Sequence, residues 1–102
     1  MNLHELIEKI EKVSKNYAEQ FEINRDSDWF MFKLQEEIGE LTQAYLMYSG
    51  RAREKGMSKK ELKKAFESEV ADVLCHILLL AQHNNISLEK RIHEKWLVRL
   101  KK

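Results

Sequence analysis

Proline is absent from this chain, and glycine occurs only at positions 39, 50 and 56. Proline breaks a helix by removing an amide donor and glycine loosens one, so long helices here run unbroken except near those points. Apolar residues recur every three or four positions in four segments, the mark of helices with one buried face. The first segment sets Leu3, Leu6, Ile7, Ile10, Val13, Tyr17 and Phe21 on one side. Its opposite side carries Glu5, Glu8, Lys9, Glu11, Lys12 and Lys15, several as i,i+4 pairs of opposite sign, and no catalytic signal. Asp26 or Ser27 offers a side-chain oxygen to the free amides of a second helix, from about Asp28 to Ser49, with Gly50 suited to the left-handed position beyond it. Phe30, Leu34, Ile38, Leu41, Tyr45 and Tyr48 form its inward stripe.

Ser58 and Glu61 spell a capping box for a third helix, from about Lys59 to His83, which Asn84 and Asn85 end. Leu62, Phe66, Val70, Val73, Ile77 and Leu80 face inward, and Leu74, Leu78 and Ala81 widen that stripe. Ser87 caps a fourth helix running from Leu88 to the C-terminus, with Leu88, Ile92, Trp96 and Leu100 on one side and Arg91, Lys95 and Arg99 on the next. The expected fold is all-α: a single domain over residues 1–102, a four-helix antiparallel bundle-like unit. A chain of 102 residues exposes much of its apolar surface unless another copy covers it, so a homodimer or homotetramer is expected.

The formal net charge of +1 gives no basic field for nucleic acid. The single cysteine, Cys75, has no internal disulfide partner and is expected to be packed, pointing away from the acidic face described next. Met1 to Glu5 lacks the apolar run of a secretion signal, and Ile77 to Ala81 is too short to span a bilayer, so a cytoplasmic protein without a membrane partner is expected.

The chemistry concentrates in Glu36-Glu37-Ile38-Gly39-Glu40 and in Glu69-Val70-Ala71-Asp72. Each residue advances about 100° around a helix, so Glu37 borders the apolar stripe, Glu40 stands at its rim about 60° away, and Glu36 faces more solvent. Glu69 and Asp72 repeat this relation on the third helix. Packing the two stripes together sets the acid pairs against each other, with Gly39 leaving its side of the helix clear for close packing. Two like charges about 4 Å apart at an effective dielectric of about 20 repel by roughly 4 kcal/mol, a large share of the roughly 5–15 kcal/mol that holds a small domain folded. Either protons bind or a cation enters. All-oxygen ligands favour Mg2+ or Mn2+ over zinc.

Taken together, Glu36-Glu37-Ile38-Gly39-Glu40-Leu41 and Glu69-Val70-Ala71-Asp72-Val73-Leu74 resemble the MazG-type all-α nucleotide pyrophosphohydrolases, whose signature is EExxE followed by ExxD. Residues 41 to 68 separate the two motifs, and the likeness covers roughly residues 20 to 99, with Lys33, Glu40 to Ala44 and Ile86 to Lys95 as agreeing flanks. The resemblance implies Mg2+-dependent hydrolysis of a nucleoside or deoxynucleoside triphosphate to monophosphate and pyrophosphate, a reaction suited to clearing surplus or non-standard nucleotides, at a site completed by oligomerisation. It implies Glu37, Glu40, Glu69 and Asp72 as metal ligands and Glu36 as the group that positions or deprotonates the attacking water. Lys33 becomes a phosphate contact or the acids' counter-ion, Lys95 a phosphate contact, and Trp29 a ring for stacking on the base or for packing. His76 stands where relatives often carry tyrosine; it is a base or sugar contact, a further ligand, or a partner of Asp72. Lys95 lacks the asparagine that often follows it, so base preference stays open.

Two other classes compete. A carboxylate-bridged di-iron or di-manganese bundle favours Glu-x-x-His on inward helices, and neither acid pair has histidine at that spacing. A non-catalytic helical dimerisation or regulatory module would use the acids as surface charge.

Overall fold

The computed structural model describes residues 1–100. It is all-helical: α1 (Leu3–Gln20), α2 (Ser27–Tyr48), α3 (Lys59–His83) and α4 (Leu88–Lys95), followed by a short 3-10 turn at Leu97–Arg99. The helix ends follow local chemistry. The Asp26 side chain accepts from the Trp29 amide at 2.8 Å, and Ser58 and Glu61 form both halves of the capping box at 3.1 and 2.8 Å. Gly50 and Asn85 take the left-handed conformations that release the chain after α2 and α3, at φ 79° and 55°.

The α2 and α3 helices form the main packed pair, and α1 packs on α3. Tyr45 and Tyr48, near the end of α2, meet Phe66 near the start of α3, while Phe30 at the start of α2 stacks on His83 at the end of α3. The pair is therefore antiparallel. Its buried centre is Phe30, Leu34, Leu62, Leu78, Leu79 and Ala81, to which α1 adds Ala18. Leu62 is 2% exposed, and truncating it to alanine is expected to cost about 2–5 kcal/mol. The loop before α2 is tied back to α1 by Arg25, which donates to both carboxylate oxygens of Glu11, at 2.6 and 2.9 Å, and to Ser14 Oγ at 3.1 Å. Among the described residues no helix is long and apolar enough to cross a membrane.

Three expectations from periodicity change. Ile38 and Tyr45 on α2 and Val70, Leu74 and Ile77 on α3 are exposed, although they fall within the apolar stripes. Each stripe is wider than the facing helix can cover. Secondly, α4 ends at Lys95, and Trp96, Val98 and Leu100 lie largely open to solvent; the expected continuation through 101–102 falls outside the described residues. Ser87 makes no side-chain cap bond, which removes one support from that helix. Thirdly, beyond Gly39's chain neighbours and its own helix backbone, no atom of the described residues comes within 4 Å of where a Cβ on Gly39 would sit, so no close packing uses that gap. The radius of gyration is 16.4 Å, against about 13 Å for a compact chain of similar length. The chain is spread and flattened, with extents of 48 × 43 × 26 Å, an uncovered apolar face and a projecting C-terminal arm.

Candidate metal and nucleotide site

Antiparallel packing of α2 on α3 brings the two acidic motifs together. Ligand oxygens of Glu37, Glu40 and Glu69 all lie within 4.8 Å of one another. Glu37 is 8% exposed, and Glu69 is half-buried while Glu40 is open to solvent. One oxygen each of Glu37 and Glu69, Oε2 in both, is buried without a hydrogen-bond partner. Leaving a buried acceptor unpaired costs about 1–3 kcal/mol, and more for a charged one, so two such atoms in one carboxylate cluster are a costly arrangement for a purely structural surface.

The proton affinities follow from this crowding. The Glu37 carboxyl is pushed up to about 7, first by burial, then by its contact with the Glu40 carboxyl and that group's charge, with Lys33 opposing and Asp72 adding to the rise. Glu69 is raised as well, by burial and by the charges of Asp72 and Glu40. These acids hold protons more tightly than ordinary carboxylates, and a divalent cation would compete for the same oxygens.

Asp72 differs from expectation. It is exposed and does not join the three-carboxylate cluster, although its charge acts on Glu37 and Glu69. Glu36 is the outer acid that its helical angle implied. It is bound to Lys33 Nζ at 2.8 Å, and that bond and charge hold it below the usual carboxylate range. Lys33 also approaches Glu37 at 3.8 Å, so in this structure it is the acids' counter-ion. His76 Nε2 lies 3.7 Å from Glu37 Oε1, not in a bond to Asp72. Burial, followed by the Lys33 charge, lowers the imidazole below its ordinary range, so at neutral pH this approach is not an ion pair.

Beyond Glu37 and Asp72 opens a cavity of about 540 Å³, within the range of about 300–1,000 Å³ typical of small-molecule sites. Trp29 and His76 meet edge-to-face at 6.3 Å, and both line it. Cys75 lines the cavity too, against the expectation that it points away; its thiol is pushed up by burial and then by the charge of Asp72. Lys95 stands on α4 and is not part of this lining. The residues that sequence reasoning missed are on α1: Lys9, Ser14 and Tyr17 form the opposite wall. Their one visible signal is a serine and a tyrosine set among Ile10 and Val13 on an otherwise apolar face.

The site thus has an acidic end spanning α2 and α3, a lysine between two of its acids, and an aromatic-walled cavity leading away toward α1. No protein-family model, no curated protein and no solved structure matches the chain.

Proposed function

We propose that the protein is a Mg2+-dependent pyrophosphohydrolase that converts a nucleoside or deoxynucleoside triphosphate to its monophosphate and pyrophosphate. The observation that carries this reading is the buried, unpartnered oxygen on each of Glu37 and Glu69, two acids that cluster with Glu40, with Glu37 also lining the cavity. Three carboxylates from two helices are a donor set for Mg2+, or Mn2+ in its place, and Asp72 is near enough in charge to join by rotating its exposed side chain. A bound divalent ion would offset charge on the phosphates. The base would enter the cavity beside Trp29 and His76, leaving the phosphates over the acids.

The remaining work falls to the chain's own groups. Lys33 leaves Glu36 for a phosphate oxygen as substrate enters. Glu36, released from that bond, accepts the proton of the attacking water. Lys95 reaches a triphosphate only across subunits, since α4 stands off from the cavity in its own protomer. The uncovered stripe of Ile38, Tyr45, Val70, Leu74 and Ile77 supports assembly with a second copy, as a homodimer or as a homotetramer.

Incubation of purified protein with Mg2+ and a panel of triphosphates tests the reading. Pyrophosphate and monophosphate are expected; orthophosphate as the product, or no turnover of any nucleotide, would overturn it. The exposed stripe equally favours a non-catalytic helical dimerisation module. That reading predicts a melting temperature indifferent to Mg2+, whereas an ion bound only by the folded state must raise it.

A further inference from the structure

The α1 wall of the cavity is chemically one-sided. Lys9 lines it, and among the described residues no carboxylate lies within ion-pair distance of its ammonium, which carries three donors and no acceptor. Ser14 Oγ accepts from Arg25 Nη1 at 3.1 Å, and Arg25 is itself fixed by two bonds to Glu11 at 2.6 and 2.9 Å. The serine is thereby held in one orientation, and its own proton has no acceptor among the described residues. Neither asparagine nor glutamine lines the cavity, and its two carboxylates, Glu37 and Asp72, lie at the acidic end. A base edge turned toward α1 therefore meets the Lys9 ammonium, which can only donate, beside the hydroxyls of Ser14 and Tyr17, which donate or accept.

We propose that this wall selects the nucleobase: Lys9 favours 4-oxopyrimidines and 6-oxopurines, whose carbonyl oxygens accept, over 4-aminopyrimidines and 6-aminopurines, whose amines donate. The inference rests on the nucleotide reading above and adds the class of base. Discrimination arises because an amine facing the Lys9 ammonium leaves donor opposed to donor with no bond between them, a mismatch that costs more than a merely missing contact. Lys9 is open to solvent on its outer side and can turn away, which limits the selection to about tenfold rather than the much larger factors of fully enclosed sites.

Binding of non-hydrolysable α,β-imido analogues of dUTP and dCTP, with Mg2+, to the intact protein by titration calorimetry tests this. The dUTP analogue is expected to bind about tenfold more tightly. Lys9→Met should bring the ratio toward twofold by weakening only the dUTP analogue, whereas Ser14→Ala, which removes a group able to bond either base, should leave the ratio at about tenfold. Lys9→Met changes an exposed residue, and helicity by circular dichroism confirms that the fold persists. Equal affinities in the wild type overturn the proposal. So does tighter binding of the dCTP analogue, which would identify Asp72 as an acceptor for the base. In either case pyrophosphate release from triphosphates would leave the hydrolase reading standing. Failure of both analogues to bind overturns the base selection, while the hydrolase reading is decided separately by the triphosphate panel.

Discussion

Glu11 and Glu37 are both drawn out of water, and the chain treats them in opposite ways. Glu11 meets Arg25 through two short bonds, and that pairing holds its carboxyl below the usual range. Glu37 meets other carboxyls, keeps one oxygen unpartnered, and is pushed up to about 7. A saturated ion pair with fixed geometry fastens a loop to a helix. An acid held back from water, with only a lysine at 3.8 Å and a neutral imidazole at 3.7 Å nearby, is poised to take up something else. The difference separates a fastening from a binding site within one small protein.

The sharpest way to break the comparison is to change each glutamate. Glu37→Gln should abolish pyrophosphohydrolysis, lowering kcat by more than the about 10–100-fold that loss of an outer partner of a metal ligand costs. It should leave helicity intact and the metal-free melting temperature unchanged or higher, because it removes a buried charge and its repulsion from Glu40 together. A collapse of the fold would show Glu37 to be structural. Arg25→Ala should do the reverse, leaving Glu11 half-buried and unpaired. A loss of about 1–3 kcal/mol in denaturant unfolding is expected. An unchanged midpoint would reduce the Arg25–Glu11 pair to a surface decoration.

The pH dependence separates the two sites next. Glu37 binds its proton more tightly folded than unfolded, so its contribution is fully present below its unfolded value near 4.5 and is lost as pH rises through about 7. Glu11 runs the other way: its lowered carboxyl contributes above its unfolded value and loses that contribution in acid. Metal-free protein should therefore lose about 1–3 kcal/mol of stability between about pH 5 and pH 7.5. Saturating Mg2+ should flatten that slope and release protons on binding. A slope that survives in Glu37→Gln would assign the effect to another group.

The sequence showed local features well and distant ones poorly. The Asp26 cap, the Ser58–Glu61 box and the left-handed Gly50 and Asn85 are decided within four residues, and each was legible. The meeting of Glu37, Glu40 and Glu69 was legible because each acid borders a stripe and two stripes pack. Periodicity, however, identifies a face without saying what covers it, so Val70, Leu74 and Ile77 read as core and are exposed. The bonds from Arg25 to Glu11 and Ser14 join residues 14 and 11 apart across a loop, where no helical spacing applies. For the same reason α1 seemed chemically silent, although it supplies one wall of the cavity.

Lys33 sharpens the comparison most finely, because among the described residues it is the one lysine or arginine that contacts the acids. It lies 2.8 Å from Glu36 and 3.8 Å from Glu37, and it lowers the proton affinity of both. Lys33→Met should raise Glu37 further, so the pH at which Mg2+ begins to bind moves upward. If Lys33 also transfers to a phosphate, KM for the triphosphate should rise by about three- to tenfold, the value of one charged hydrogen bond at a partly open site. A shifted pH profile with an unchanged KM would leave Lys33 as a counter-ion alone. The acid cluster would then be tuned by a fixed charge, much as Glu11 is by Arg25, and the contrast between the two sites would narrow to whether each carboxylate's oxygens are filled.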